Sequence, residues 1–245
     1  MKTLLKRFCY SLANVVFPLR CLICDEDLDY YETLPLCKKH RDKIVPIEKP
    51  FCDICGRKMF SQESMETICH ECRNTKRQFD RSYSATIYSE TMKELVHFYK
   101  YQMRQYMARP FAELMADFMG KYIDYRAIDF VVPVPLHWRR YMFRGFNQAY
   151  ELIRYLSGEF DLKVSKGNLR RIRHTFPQVM LTPKERKENI LGAFRVIDPD
   201  EFRGKHILLI DDVFTTGATM NECSRVLKDA GAAEVTGFTL TQPVT

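Results

Sequence analysis

The most informative segment of this chain reads His206-Ile207-Leu208-Leu209-Ile210-Asp211-Asp212-Val213-Phe214-Thr215-Thr216-Gly217-Ala218-Thr219. Its four consecutive apolar residues predict a buried strand, and two adjacent carboxylates follow at the end of that strand. A short loop rich in hydroxyl groups comes next. The pattern from Ala218 to Ala230, which Gly231 stops, predicts a helix directly behind the loop.

This order of residues suits a sugar phosphate. Backbone N–H groups at the start of a helix point at an anion, and threonine hydroxyls add further donors. Gly217 lets the backbone approach a phosphate closely, while Asp211 and Asp212 can accept hydrogen bonds from the 2′ and 3′ hydroxyls of a ribose. In the alternative, a turn without a ligand, the threonines serve only as helix caps. Two acids and three threonines around one glycine favour the ligand site, because they meet several of its requirements at once.

Strands and helices alternate around this segment from Asp129 onward. Phe130–Val132 and Val235–Leu240 are predicted strands, and Asn147–Leu156 is a predicted helix. Such alternation predicts an α/β fold in which helices flank a parallel sheet. Ligands of open parallel sheets bind at the carboxyl ends of the strands, which is where the two acids lie.

The cysteines predict two zinc sites ahead of this domain. Eight of the nine cysteines lie in the first third of the chain, and seven of them join one histidine in four pairs with two-residue spacers. Such pairs supply the ligands of tetrahedral zinc two at a time, and a filled quartet leaves no position for a substrate, so both Zn²⁺ ions are predicted to be structural. Interleaved pairing is the alternative. The predicted ligands are Cys21, Cys24, Cys37 and His40 at the first site and Cys52, Cys55, Cys69 and Cys72 at the second.

Composition favours an ordinary folded protein. With 46% hydrophobic and 28% charged residues among 245, the chain can build a large core. No apolar run reaches the roughly 18–20 residues needed to cross a bilayer. Thiolates held for zinc argue for a reducing cytoplasm, and a peripheral position at the inner face of the membrane is left open.

The first residues combine a basic start with an apolar run, as a signal peptide does. Asn14 and Pro18 interrupt the run and no small-residue cleavage site follows, whereas the apolar residues suit one face of a helix. We expect three parts: an amphipathic helix over 1–20, a double zinc ribbon over 21–80 and the α/β domain over 81–245.

The segment from His206 to Thr219 closely resembles the ribose-phosphate signature of the type I phosphoribosyltransferases, in which four hydrophobic residues and two acids precede a Thr-Thr-Gly phosphate loop. The resemblance implies their fold and binding of 5-phosphoribosyl-1-pyrophosphate (PRPP). It assigns Asp211 and Asp212 to the ribose hydroxyls and implies Mg²⁺ between those hydroxyls and the pyrophosphate. It assigns the 5′-phosphate to Phe214, Thr215, Thr216, Gly217, Ala218 and Thr219.

Further blocks narrow this resemblance. Arg144-Gly145-Phe146-Asn147-Gln148-Ala149, the segment above and the cysteine quartets are together similar to the ComF/GntX group over nearly the whole chain. That resemblance implies a pyrophosphate loop over 133–140 and a mobile flap over 173–186. Arginines suit both, because a guanidinium group binds phosphate oxygens in two places. The residues expected at the pyrophosphate are Pro135, Leu136, Arg139, Arg140, Arg144, Arg173 and Arg186.

Positive charge is concentrated between Arg139 and Arg195. This stretch holds 13 Lys or Arg against 5 Asp or Glu, a balance of +8 in a chain of formal net charge +7. A metal-bridged pyrophosphate needs only part of that charge, so single-stranded DNA is a second expected partner and a solubilising surface is the alternative. The expected DNA contacts are Arg170, Arg171 and Arg173, with Phe143, Phe146 and Phe176 as stacking faces.

Three functions remain open at this point. The ComF/GntX group is tied to natural transformation, which implies a role in DNA uptake, at a late step on single-stranded DNA, with other competence proteins as partners. An active phosphoribosyltransferase would move ribose 5-phosphate onto a base or amine, although no dedicated catalytic acid or base is evident. A ligand sensor would keep the fold without turnover. Fold alone does not choose among them.

Overall fold

A computed structural model of the chain describes residues 20–28, 34–59, 67–102, 104–176 and 181–244. The expected N-terminal helix therefore lies outside the described residues, apart from Arg20, and so does the stretch 177–180 of the expected flap. None of the helices in the described ranges combines the length and the apolar character that a membrane span requires.

Helices and strands alternate along the described chain. The strands are β1 (Arg81–Ile87), β2 (Phe130–Pro133), β3 (Leu169–Arg171), β4 (Phe194–Val196), β5 (His206–Val213) and β6 (Glu234–Gln242). The helices are α1 (Lys38–Arg41), α2 (His70–Asn74), α3 (Glu90–Tyr101), α4 (Ala108–Tyr122), α5 (Trp138–Arg144), α6 (Gln148–Phe160), α7 (Pro183–Ile190) and α8 (Ala218–Asp229). Short 3-10 helices cover Gln105–Met107, Tyr125–Ala127 and Pro199–Glu201.

The main sheet is parallel and has the strand order β1-β6-β5-β2. Strand β5 lies inside it because its apolar residues fill both faces: Leu208 and Ile210 pack into one core, and Ile207 and Leu209 into the other. The first core lies under α3, α4 and α6, and the second lies under α8 and the β3–β4 ribbon. The predicted α/β fold with flanking helices is confirmed.

Strand β5 runs three residues beyond the predicted strand. Pairing with β6 continues past Ile210, with Asp211 opposite Thr239 and Val213 opposite Thr241, so both acids belong to the strand itself. Because successive side chains of a strand point to opposite faces, Asp211 and Asp212 approach the carboxyl end of the sheet from its two sides. The sequence pattern placed both acids at the end of the strand, directly after its last apolar residue, and the structure includes them in the strand.

Two local signals set the helices beside this end of the sheet. Asn147 caps α6, since its side chain accepts hydrogen bonds from the N–H groups of Ala149 and Tyr150. Gly217 precedes α8 with φ at 72°, a left-handed conformation that a side chain disfavours. Helix α6 extends to Phe160, four residues past its predicted end.

The cysteine-rich region packs against β1, at the edge of the sheet. The N–H of Ile47 donates to the carbonyl of Ala85 at 2.9 Å, and the N–H of Ser82 donates to the carbonyl of Ile54 at 2.7 Å. The second quartet of cysteines shares its apolar core with β2, β5 and α8. Both contacts hold this region to the α/β domain.

Candidate functional site

A cleft of about 470 Å³ opens at the carboxyl ends of β2 and β5. Four segments that are distant in sequence meet there: the end of β5 with its following loop, the stretch from β2 through α5 to the start of α6, the chain around β3 and α7, and the two ends of α3. From the predicted sites, the lining includes Asp211, Asp212, Thr215, Thr219, Pro135, Leu136, Arg139, Arg140, Arg144, Arg171 and Arg186. Ligands of open parallel sheets generally bind in a cleft at the carboxyl ends of the strands, and this cleft lies there.

The two acids have different surroundings. Asp212 is buried and forms an ion pair with Lys100 of α3, with Nζ 2.7 Å from Oδ2. Asp211 accepts a hydrogen bond from the N–H of Asp212 at 2.9 Å. Burial, and then repulsion by the neighbouring Asp212, raise the pKa of Asp211 to about 7, although Lys100 acts in the opposite direction. The cleft therefore holds one carboxylate paired with a cation and one carboxyl group that titrates near neutrality.

The loop after β5 is arranged around Phe214. This side chain is only 2% exposed, and its ring lies where a Cβ on Gly217 would fall, at 2.5 Å. Within the described residues, the amide hydrogens of Thr215, Thr216 and Gly217 meet no protein acceptor. A small recess of about 20 Å³ adjoins them, lined by Thr215, Gly217, Ala218, Thr219 and neighbours. Consecutive amides of this kind at a helix start form an anion-binding concavity.

Individual residues of this loop take different positions. Thr215 and Thr219 line the main cleft, whereas Thr216 lines neither cavity, and its hydroxyl accepts a hydrogen bond from the N–H of Ala218 at 3.4 Å. Phe214 offers a ligand only its backbone, because its ring belongs to the core. The side chain of Thr216 thus contacts the start of α8, as expected for a threonine that serves the helix and not a ligand.

The stretch from β2 into α5 presents arginines to the cleft. Asn147 fixes its start by donating from Nδ2 to the carbonyl of Val134 at 3.1 Å. Arg140 is half-buried and donates to the carbonyl of Thr175 at 3.0 Å, and burial lowers its pKa. Arg139 is exposed and lies over the ring of Trp138 at 5.4 Å. Arg144 lies over the ring of Tyr101 and donates to the Gln148 side chain.

Strand β3 divides the remaining arginines between the cleft and the outer surface. Leu169 and Arg171 point inward, and Arg170 between them is exposed. Burial, and then repulsion by Arg140, lower the pKa of Arg171 to about 10. Arg171 was expected at DNA, yet it lines the cleft, whereas Arg173 is exposed and donates to the carbonyls of Asn189 and Leu191 at 3.0 and 2.7 Å. The short strand contains no periodic pattern that would have told the two positions apart.

Lys100 was missed by sequence reasoning, as were Tyr88, Tyr101 and His174, which also line the cleft. Lys100 lies in the last turn of α3, and nothing in the sequence of that helix marks the residue as different from other surface lysines.

The prediction for Phe146 is wrong. Its ring is 5% exposed and packs 5.5 Å from the ring of Tyr99, so it has no face for a base. Phe143 and Phe176 are 80% and 75% exposed, and Trp138 at the start of α5 is 63% exposed. Helix α5 has no buried residue, so its aromatic side chains remain available at the mouth of the cleft.

Both cysteine quartets fit a tetrahedral metal. The ligand atoms of Cys21, Cys24, Cys37 and His40 lie within 4.8 Å of one another, as do those of Cys52, Cys55, Cys69 and Cys72. The sulfur atoms of Cys24 and Cys37 are 3.7 Å apart, as are those of Cys55 and Cys69. Zinc–sulfur bonds of about 2.3 Å at tetrahedral angles place sulfurs roughly 3.8 Å apart, so the spacing suits zinc. The quartets are consecutive along the chain and not interleaved.

Family profiles match both parts of the chain. The profile of the double zinc ribbon domain matches residues 12–74, and that of the phosphoribosyl transferase domain matches residues 109–242. Strand β1 precedes the second matched range, yet it pairs with β6 in the same sheet.

Three relatives are similar over most of their length. The chain is 28% identical to Competence protein F of Haemophilus influenzae, covering 89% of this chain and 95% of that protein. It is 29% identical to DNA utilization protein YhgH of Salmonella typhimurium (75% and 86% covered) and 28% identical to Competence protein ComFC of Bacillus subtilis (92% and 95% covered).

Among solved structures, a hypoxanthine phosphoribosyltransferase from Staphylococcus aureus matches with a TM-score of 0.32 and 14% identity, covering 58% of this chain and 64% of that chain. A phosphoribosylpyrophosphate synthetase from Mycobacterium smegmatis matches with a TM-score of 0.33 and 15% identity, covering 54% and 33%. Likeness at this distance carries no argument about the site.

Proposed function

We propose, from the premise that the chain belongs to the phosphoribosyl transferase domain family, that it binds PRPP in the cleft at the carboxyl ends of β2 and β5. One observation supports this most directly. Thr215 of the loop after β5, the two acids and several arginines border the same cleft, and the recess lined by Gly217 adjoins it at Asp211, Thr215 and Thr219. Such a combination matches a ligand with a phosphate at one end, a sugar in the middle and a pyrophosphate at the other.

Each part of the ligand has residues suited to it. The 5′-phosphate would accept hydrogen bonds from the amides of Thr215 and Gly217, beside the Thr219 hydroxyl. The ribose hydroxyls would donate to Asp211 and Asp212. The pyrophosphate would lie against Arg140, Arg171 and Arg186, of which the first two are cations without a carboxylate ion pair in the described part of the chain.

Magnesium suits the same site. Carboxylate oxygens are the ligands that Mg²⁺ takes together with substrate phosphates, and Asp211 and Asp212 are the acids that border the cleft. When bound, the ion would offset the charge of the pyrophosphate. Lys100 contacts the Oδ2 atom of Asp212 at 2.7 Å, so this cation lies beside the proposed position of the ion.

The proposal is tested by calorimetry with PRPP and Mg²⁺. Changing both acids, Asp211→Asn with Asp212→Asn, is expected to weaken binding more than about tenfold, because two charge-assisted hydrogen bonds are lost. Asp117→Asn, an exposed acid of α4, serves as the control and is expected to bind as the parent does. Equal affinity in the double variant and the parent would refute the proposed role of the two acids.

We further propose a role in DNA uptake, at a step that handles single-stranded DNA. The names of relatives from Haemophilus influenzae and Bacillus subtilis refer to competence, and those relatives align over nearly the whole chain. The exposed aromatic side chains of α5 alternate with arginines, a combination suited to stacking bases and holding phosphates. A cationic surface that extends beyond the cleft favours this role over a purely metabolic one.

Pyrophosphate release separates transferase activity from a ligand sensor, because transfer of ribose 5-phosphate to an acceptor breaks the bond to the pyrophosphate and binding alone does not. Release of pyrophosphate from PRPP in the presence of candidate bases and amines would support turnover. Binding of PRPP without release of pyrophosphate across such a panel would support the ligand sensor.

A further inference from the structure

Arg77 connects the second zinc quartet with the loop after β5. Its guanidinium group forms an ion pair with Glu71, which lies on α2 between the ligands Cys69 and Cys72. Its Nη1 donates to the carbonyl of Thr216 at 3.1 Å. The Arg77 side chain is 7% exposed and that of Glu71 is 38% exposed, so the guanidinium group is shielded from solvent while its acid partner is only partly so.

The contact with Thr216 fixes the peptide unit that carries the amide of Gly217. The carbonyl and the N–H of a planar trans peptide point in opposite directions. Since Arg77 holds the Thr216 carbonyl on one side, the N–H of Gly217 is directed to the other side, away from Arg77. Rotation of this peptide would turn the amide away from its present direction and would leave Nη1 of the buried guanidinium without its acceptor.

The two residues after Arg77 contact the same region. The N–H of Gln78 donates to Oδ1 of Asn221, in the first turn of α8, at 2.8 Å. The ring of Phe79 meets the ring of Phe214 edge-on, with centroids 6.0 Å apart, and Phe214 lies against Gly217. Arg77, Gln78 and Phe79, which follow the second quartet in the chain, thus all contact the loop after β5 or the first turn of α8.

We infer that Arg77 is a positioning residue, through which the metal-bound second quartet holds the loop after β5 in the conformation that receives a phosphate. The inference rests on the proposed function of this loop, and it adds which residues hold the loop in its conformation. Zinc at Cys52, Cys55, Cys69 and Cys72 would fix α2, α2 would fix Glu71 and Arg77, and Arg77 would fix the peptide of Thr216. The second quartet would then influence ligand binding without touching the ligand.

Hydrogen exchange of the full-length, zinc-loaded protein tests this inference without a ligand. Arg77→Gln is expected to speed exchange at Asn221, whose N–H donates to the carbonyl of Gly217 at 2.8 Å, by roughly tenfold or more, the order of effect of one charge-assisted hydrogen bond. Arg57→Gln is the matched control. Arg57 also forms an ion pair with Glu71, at 2.7 Å, but no hydrogen bond joins it to Thr216 in the described residues. Metal analysis is expected to find two zinc ions per chain in both variants. Equal exchange in the two variants would overturn the inference.

Two further measurements complete the test. Arg77→Lys keeps the charge but has only one donor group. It is expected to retain zinc and to give an exchange rate at Asn221 between those of the wild type and Arg77→Gln. If Arg77→Gln loses metal, the exchange rate of Arg77→Lys tests the inference instead. Ribose 5-phosphate is expected to bind about tenfold more weakly to Arg77→Gln and unchanged to Arg57→Gln. Failure of the wild type to bind this probe would count against the proposed function, while the exchange rates would still judge Arg77.

Discussion

Asp211 shows how the cleft combines ligand binding with a cost in stability. The side chain lies beside Asp212 and is half-buried in the wall of the cleft, and both effects disfavour its charge. Its pKa is therefore raised from 3.8 to about 7 in the folded protein. A group that would accept a hydrogen bond from a sugar hydroxyl is held in a position where the free protein tolerates the negative charge poorly, which is common at functional sites.

This pKa predicts a pH-dependent effect of Asp211→Asn. Below pH 3.8 the carboxyl group is protonated in both the folded and the unfolded chain. Between pH 3.8 and about 7 only the folded chain holds the proton. The contribution of Asp211 to stability therefore falls as pH rises through this window. Removing the charge should therefore raise the melting temperature at pH 8 by on the order of 3 °C or more, and have little effect near pH 4.

Thermal melts of the parent, Asp211→Asn and the control Asp117→Asn across this pH range check the expectation. A constant difference between parent and Asp211→Asn at every pH would show that Asp211 titrates normally in the folded protein. The control lies exposed on α4 and should track the parent throughout.

Element by element, the sequence predicted the parts whose signal is local. The apolar run of β5, the Asn147 cap region and the helix behind Gly217 all follow from neighbouring residues. Lys100 and Arg171 could not be assigned in the same way, because each reaches the cleft through tertiary packing of a distant helix or strand. Phe146 was misplaced for a related reason: an aromatic residue among arginines looks the same in sequence whether its ring faces water or the core.

The turn before α8 gives a prediction at this scale for Gly217→Ala. A Cβ there would meet the Phe214 ring at 2.5 Å, and φ is 72°, so the variant should lose about 2 kcal/mol or more of stability. Loss of ribose-phosphate binding should accompany it, because the loop must shift to relieve the contact.

Gly120→Ala provides the matched control in chemical denaturation. This glycine lies inside α4, and an added methyl group would meet no atom of another element within 4 Å. The same substitution should therefore stabilise the protein by about 0.5–1 kcal/mol and leave binding unchanged. A stable Gly217→Ala variant that still binds would show that the loop conformation does not depend on glycine.

Over the whole molecule, the excess positive charge between Arg139 and Arg195 is divided into two groups. Arg140, Arg171 and Arg186 line the cleft, while Arg170 and Arg173 are exposed outside it. The total charge can be counted from the residues alone, but this division depends on the direction of each side chain in β3 and around it. A polymer of phosphates would meet the outer group.

Binding of single-stranded DNA should accordingly weaken as salt rises. Arg170→Ala with Arg173→Ala is expected to reduce the slope of log affinity against log salt by about 1.4, since each phosphate contact on a single strand contributes roughly 0.7. Arg109→Ala with Arg203→Ala is the control, because these exposed arginines pair with acids on their own helices or turns. Fluorescence titrations that give the same slope for both double variants would contradict a DNA surface at β3.

A crystal structure of the protein with PRPP and Mg²⁺ is the most direct test of the central claim. We predict the 5′-phosphate at the amides of residues 215–219, the ribose hydroxyls within hydrogen-bonding distance of Asp211 and Asp212, and the pyrophosphate beside Arg140 and Arg171. A ligand bound elsewhere, with Asp212 still paired to Lys100 alone and the loop amides facing only solvent, would contradict it.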